Sequence, residues 1–199
     1  MNEGVDAAIV KVLDWEPDGE QALIAAGPAG AERVFDLYYG RAKASLDTKA
    51  RGRDLVDGWS AALHIAATVA PEAFLARLKG DVGITEVVIL GGIDDPRATA
   101  VLCEQAAHED YVHRYNAVKA LAGHSNPKAR EAIESALGDR DLVVRSAAIR
   151  AVADTDPDRG VTLYEAFLRE PDLTPLLRQE SQWALSYLRK HSRIPKRPW

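Results

Sequence analysis

Apolar positions fall three and four residues apart along most of this chain, the period of α-helices that each bury one face. Val5, Ile9, Val12 and Leu13 predict a short opening helix over 4–14. A break at Pro17-Asp18-Gly19 precedes a second short helix through Leu23 and Ile24, closed by Gly27-Pro28. Residues 29–39 (Val34, Leu37, Tyr38) and 51–69 (Leu55, Trp59, Leu63, Ile65) predict two longer helices, joined by the charged connection 40–50, with Trp59 in the core. Pro71 opens a short helix to Leu78, and Gly80 and Gly83 separate it from 84–93. The run Val87-Val88-Ile89-Leu90 is β-prone, so a strand competes there; its place in the repeat described below favours a helix. Three helix pairs follow: 96–108 with 110–123, 127–138 with 141–153, and 157–169 with 174–190.

The punctuation of these pairs has a mechanism. Asp95-Pro96, Asn126-Pro127 and Asp156-Pro157 each supply an N-cap oxygen followed by proline at the first helical position, where a missing N–H costs nothing. Gly123 and Gly138 fall where helices should stop. The turns are short, as antiparallel neighbours require.

The second helices also repeat one another. Asp110, Val112, Arg114, Ala117, Ala120 and Leu121 reappear 31 residues later as Asp141, Val143, Arg145, Ala148, Ala151 and Val152. A looser third copy, Leu176, Arg178, Ser181, Ala184 and Leu185, is displaced from the second by 33. A fixed period of two-helix units predicts an all-α solenoid, here about five antiparallel helix pairs behind an amino-terminal helical cap. No domain boundary is evident, so 1–190 reads as a single array and 191–199 as a basic tail.

The pairs resemble HEAT repeats, of the short class first associated with bilin lyases. The second helix of that class carries Asp-x-x-Val-Arg-x-x-Ala-x-x-Ala-Leu, which stands here most cleanly from Asp141 to Val152. The resemblance covers about 95–188 directly and 28–94 by extrapolation; Gly83 stands where the family has its arginine. It implies that the repeated Asp and Arg are structural, so Asp110, Arg114, Asp141, Arg145 and Arg178 are expected to form an internal ladder. In that ladder Asp at the turn and Arg four residues on would meet on one helix face and bridge to the next repeat. It also implies that the second helices line the concave, partner-binding side. With Val143, Ala148 and Val152 taken as inward, the outward positions are Ser146 and Arg150, with Tyr115 and Lys119 before them and Gln179 and Trp183 after. That row has the make-up of an interface core, although Trp183 could equally cap the core of the last repeat.

Composition narrows the functional classes. A net charge of −5 opposes nucleic-acid binding, and the imbalance is steeper in the body: residues 1–188 hold 20 Lys+Arg against 30 Asp+Glu, net −10. The basic residues Arg189, Lys190, Arg193, Lys196 and Arg197 crowd the carboxyl end, which reads first as a solvated tail; folding back on the acidic body, which Trp199 keeps open, and contact with an acidic partner are the alternatives. One cysteine, Cys103, excludes an internal disulfide and reads as an inert thiol on an apolar helix. With no signal-like start and no long apolar run, the expected location is cytoplasmic.

No catalytic, metal or cofactor constellation emerges. Glu104, His108, His113 and His124 match no zinc motif and read as isolated surface or turn residues. Gly27-Pro28-Ala29-Gly30 and Gly91-Gly92 lack the strand and the Gly-Lys-Ser/Thr of a phosphate loop. Carboxylates concentrate at helix ends (Asp94, Asp95, Glu109, Asp110, Asp139, Asp141, Asp154, Asp156, Asp158, Glu170, Asp172), where capping explains them, yet stacking would align them into acidic edges suited to a basic partner. The expectation is a non-enzymatic protein-binding module: adaptor, regulator, or inhibitor of the immunity-protein kind. The bilin-lyase resemblance implies an alternative, tetrapyrrole handling. HEAT-like DNA glycosylases are a third class, which the acidic body opposes.

Overall fold

The structure, a computed structural model, describes residues 3–40, 46–78 and 82–191. Gly80, part of the connection 40–50 and the tail from 192 onward lie outside the described residues. Among those described there are twelve α-helices and no strand, so the all-α reading holds, including at Val87–Leu90. The chain divides into two compact units, residues 1–85 and 86–199. No helix among the described residues is long and apolar enough to cross a membrane.

The first unit contains α1 (Glu3–Leu13), α2 (Gly19–Ala25), α3 (Gly27–Tyr39), α4 (Gly52–Val69) and α5 (Pro71–Arg77). α4 is its centre and packs against each of the other four. The apolar stripe of α4, Trp59, Ala62, Leu63, Ala66 and Ala67, is buried with Ile9, Leu13, Leu23, Phe35 and Phe74. Arg33 holds Asp6 through two parallel hydrogen bonds of 2.8 and 3.0 Å, tying α3 to α1.

The chain passes between units inside α6 (Ile84–Leu90). The second unit then alternates α7 (Pro96–Gln105), α8 (Tyr111–Leu121), α9 (Pro127–Ala136), α10 (Leu142–Thr155), α11 (Pro157–Phe167) and α12 (Pro175–His191). Each helix packs on its sequence neighbour, and alternate helices also touch: α7 on α9, α8 on α10, α10 on α12. This is the two-layer stacking of a helical repeat array.

The capping logic holds in detail. Asp95, Asn126 and Asp156 accept from the backbone N–H of Arg97 (2.7 Å), Lys128 (3.0 Å) and Arg159 (3.0 Å), with proline opening each helix. Asp110 and Asp141 do the same for α8 and α10 through Val112 (2.9 Å) and Val143 (2.8 Å), and Thr174 for α12 through Leu177 (3.2 Å). The helix ends differ from expectation. Gly123 and Gly138 do not take the left-handed conformation that usually makes glycine a terminator: positive φ occurs only at Gly27, Gly52 and Trp15 among the described residues. Their N–H groups instead close a tight last turn onto Ala120 and Ser135 carbonyls. Glycine is needed for a different reason at Gly160, where a Cβ would fall 2.4 Å from Ala153 Cβ; absence of a side chain lets α11 lie directly on α10.

Candidate partner-binding groove

Along α10 the buried stripe runs Val144, Ala148, Val152, with Ala147 and Ala151 also covered. This corrects the inward register by one position. Val143, two residues past the N-cap, is half-buried, packs against the edge of the core cluster and also lines a groove. The groove has a volume of about 620 Å³ and is built by α6, α8, α10 and α12 with one residue of α11. Its floor is the small-residue face of α10, Ser146, Ala147 and Ala151. Tyr115 and Lys119 of α8 form one wall, the Lys119 ammonium lying 5.0 Å above the Tyr115 ring. Glu180 and Trp183 of α12 form the other.

Five of the six residues expected on the binding face therefore meet here: Tyr115, Lys119, Ser146, Arg150 and Trp183. Gln179 is exposed on α12 but does not line the groove; Glu180, one residue on, takes that place. Trp183 both packs on the core, against the cluster around Phe167, Leu177 and Leu185, and lines the groove. It lies beside Tyr187, ring centroids 5.6 Å apart. The sequence row missed Tyr164, which comes from the first-helix layer and carries no repeat signal. Its hydroxyl is pushed far above the ordinary tyrosine range, chiefly by burial, with Asp154 and Glu180 adding to the shift and Arg150 opposing it. Arg150 in turn pairs with Asp154 at 3.3 Å. Ser181, 1% exposed, lines the groove with an Oγ that has no hydrogen-bond partner among the described residues. The groove thus combines aromatic walls, charges of both signs and a small-residue floor.

The repeated arginines lie away from this groove and join turns. Arg114, 5% exposed, grips Asp139 with two hydrogen bonds (Nε–Oδ2 2.8 Å, Nη2–Oδ1 2.9 Å) and donates through Nη1 to the carbonyls of His108 (3.0 Å) and Glu109 (2.8 Å). The carboxylate it holds is the one 25 residues on, while Asp110 and Asp141 are occupied as caps; a pairing of Asp110 with Arg114 along one helix face is not what forms. Burial alone would push the Asp139 carboxyl up, but hydrogen bonds from Arg114 and the Asp141 N–H outweigh it and hold the group below its ordinary value. Arg145 reaches Glu170 at 3.5 Å, and Arg178 donates to the carbonyls of Leu168 (3.0 Å) and Glu170 (3.4 Å).

The histidines divide. His108 and His113 stack at 4.1 Å, and His113 Nδ1 lies 2.7 Å from Gln105. His124 is not a surface residue. Its side chain is fully buried, with Nε2 on the Leu90 carbonyl (3.0 Å) and Nδ1 on the Thr99 hydroxyl (2.9 Å), so it stitches α6 to α7. No group of three or more metal-ligating side chains gathers among the described residues. Cys103 is half-buried and its thiol is pushed up by burial.

Stacked antiparallel pairs, capped alike and joined by a ladder of turn-to-turn arginines, define an α-helical repeat protein. Comparison with protein families names the repeat: residues 99–186, within the second unit, match the model for HEAT repeats, and that stretch is a HEAT-like repeat array. No curated protein matches it.

Proposed function

We propose that this protein is a non-enzymatic binding module that takes a segment of another protein into the groove of α6, α8, α10 and α12. One observation carries the reading: aromatic side chains from two different repeats, Tyr115 and Trp183, flank a floor of Ser146, Ala147 and Ala151 in a groove of about 620 Å³. HEAT repeats generally mediate protein–protein contacts, which supports the class. Large aromatics around a small-residue trough are the form of a hot spot, because they contribute wide contact area at little cost in side-chain freedom. The acidic balance of the chain favours a partner with a basic face, and Asp154 and Glu180 put carboxylates inside the groove itself.

The test is to purify the tagged protein from its native host at moderate salt alongside Tyr115→Ala and Arg150→Glu variants. A protein retained by the wild type and lost from both variants, with helicity unchanged by circular dichroism, is the expected result. Co-purification of pigment or nucleic acid in place of a protein would overturn the reading.

A further inference from the structure

We propose that Trp15, in the first unit, is a second contact point that docks into an apolar slot on a basic protein surface. α1 ends in the turn known as the Schellman motif. The Trp15 N–H donates to Val12 (3.2 Å) and the Glu16 N–H reaches back to Lys11 (2.9 Å). The residue between those two closures must take positive φ, and glycine ordinarily fills the position because a Cβ there is crowded by the backbone. Here φ is 58° and the residue is tryptophan, the only non-glycine with positive φ among the described residues. Packing does not explain the choice, since Trp15 is 59% exposed. A strained backbone that carries a large, mostly solvated ring points to a use outside the fold.

The loop around it is nonetheless held firmly. The Asp14 carboxylate accepts from the Thr48 hydroxyl and from the backbone N–H groups of Lys49 (2.8 Å) and Ala50 (3.0 Å). Asp18 pairs with Lys11, and Gly19 lies against the Lys11 backbone so closely that a Cβ would meet it at 2.8 Å. A ring presented on a fixed loop loses little freedom on docking, and tryptophan is prominent among the residues that anchor protein interfaces. Charge specifies the partner. Residues 14–20 contain Asp14, Glu16, Asp18 and Glu20 and no cation. Asp14 and Asp18 are engaged internally, whereas Glu16 and Glu20 are exposed and form no ion pair among the described residues. The complement is an indole-sized slot rimmed by Lys or Arg.

Random dodecapeptides displayed on phage, panned on the full chain, are the probe. The expected result is a set rich in Lys and Arg beside apolar residues. Its binding should fall about tenfold or more on Trp15→Gly and several-fold on Glu16→Gln/Glu20→Gln, with no change on Arg150→Glu. That last variant separates this site from the groove, so either can fail without the other. Trp15→Gly should also hold or raise the Tm, because glycine relieves the strain. A fall in Tm beyond about 4 °C would show a structural role and overturn the proposal. So would a panning that yields no Trp15-dependent binders, or Trp15-dependent binders without cations.

Discussion

Arg114 and Arg145 occupy the same position in consecutive repeats, 31 residues apart, yet they form unequal rungs. Arg114 makes two short hydrogen bonds to Asp139 and two to the turn carbonyls at His108 and Glu109. Arg145 meets Glu170 at 3.5 Å, past ordinary hydrogen-bond length, and its buried Nε has no partner among the described residues. Sequence at the turns accounts for the difference. Asp139 becomes Glu170, one methylene longer, and Arg140, whose guanidinium bonds the Glu109 carbonyl at 2.6 Å, becomes Pro171. The following turn is also two residues longer, so the period stretches from 31 to 33. Repeated residues share a position; the turns between them decide how much each stabilises.

Asp139→Asn should break that comparison most strongly. The pair is nearly buried, with side-chain exposures of 6% for Arg114 and 10% for Asp139, so the substitution strands a buried guanidinium. A loss of about 3–5 kcal/mol is expected in denaturant unfolding. The sign with pH follows from the depressed Asp139 carboxyl. Its contribution is complete above the ordinary carboxylate range and is lost as pH falls through the lower folded value. The wild type should therefore lose Tm on acidification below about pH 4 more steeply than Asp139→Asn does. Equal slopes would mean that Asp139 is not the group responsible.

Gly160→Ala ranks next. The added Cβ would overlap Ala153 Cβ at 2.4 Å and approach its Cα at 2.8 Å, a backbone atom and a methyl fixed directly to it, neither of which can swing aside. About 1–3 kcal/mol should be lost as α11 is pushed off α10. The pair Gly160→Ala/Ala153→Gly should recover part of it, and failure to do so would place the strain elsewhere.

How far the fold could be read beforehand follows the same division. The starts of α7, α9 and α11 were legible because each rests on a local device, Asp or Asn followed by proline, that acts within three residues. The Arg114 rung was half legible. Its residues repeat, but the carboxylate it grips lies 25 residues on, in a turn whose geometry no single repeat encodes. The lining of the groove was legible for positions that recur at 31, such as Lys119 and Arg150, and differs by one residue at Gln179, where the third copy has shifted. Tyr164 and His124 were missed because their roles come from packing between layers. The first unit lacks the repeated Asp and Arg altogether; the predicted helices were found there, but not that α4 would serve as their common centre.

Caps offer a cleaner control, because there the two repeats are alike. Asp110→Ala and Asp141→Ala each remove one side-chain acceptor, from Val112 at 2.9 Å and Val143 at 2.8 Å. Each should cost about 1 kcal/mol, and by similar amounts. Markedly unequal losses would show that the repeats differ in local helix stability as well as in their rungs.

Glu170→Gln is the smallest effect and the sharpest test of the comparison. Glu170 retains 38% of its side-chain exposure, its contact to Arg145 is long, and the guanidinium it faces is 24% exposed and open to water. Such a pair contributes about 0–1 kcal/mol, so the Tm should move by no more than about 2–4 °C. Glu170→Asp tests the turn in the other direction. If chain length at this one residue were what weakens the rung, the shorter acid should tighten it and raise stability. If Pro171 and the longer turn hold the backbone too far away, Asp will not reach and stability will drop slightly. The second outcome is expected, because the two inserted residues move the turn itself while one methylene changes reach by only about 1.5 Å.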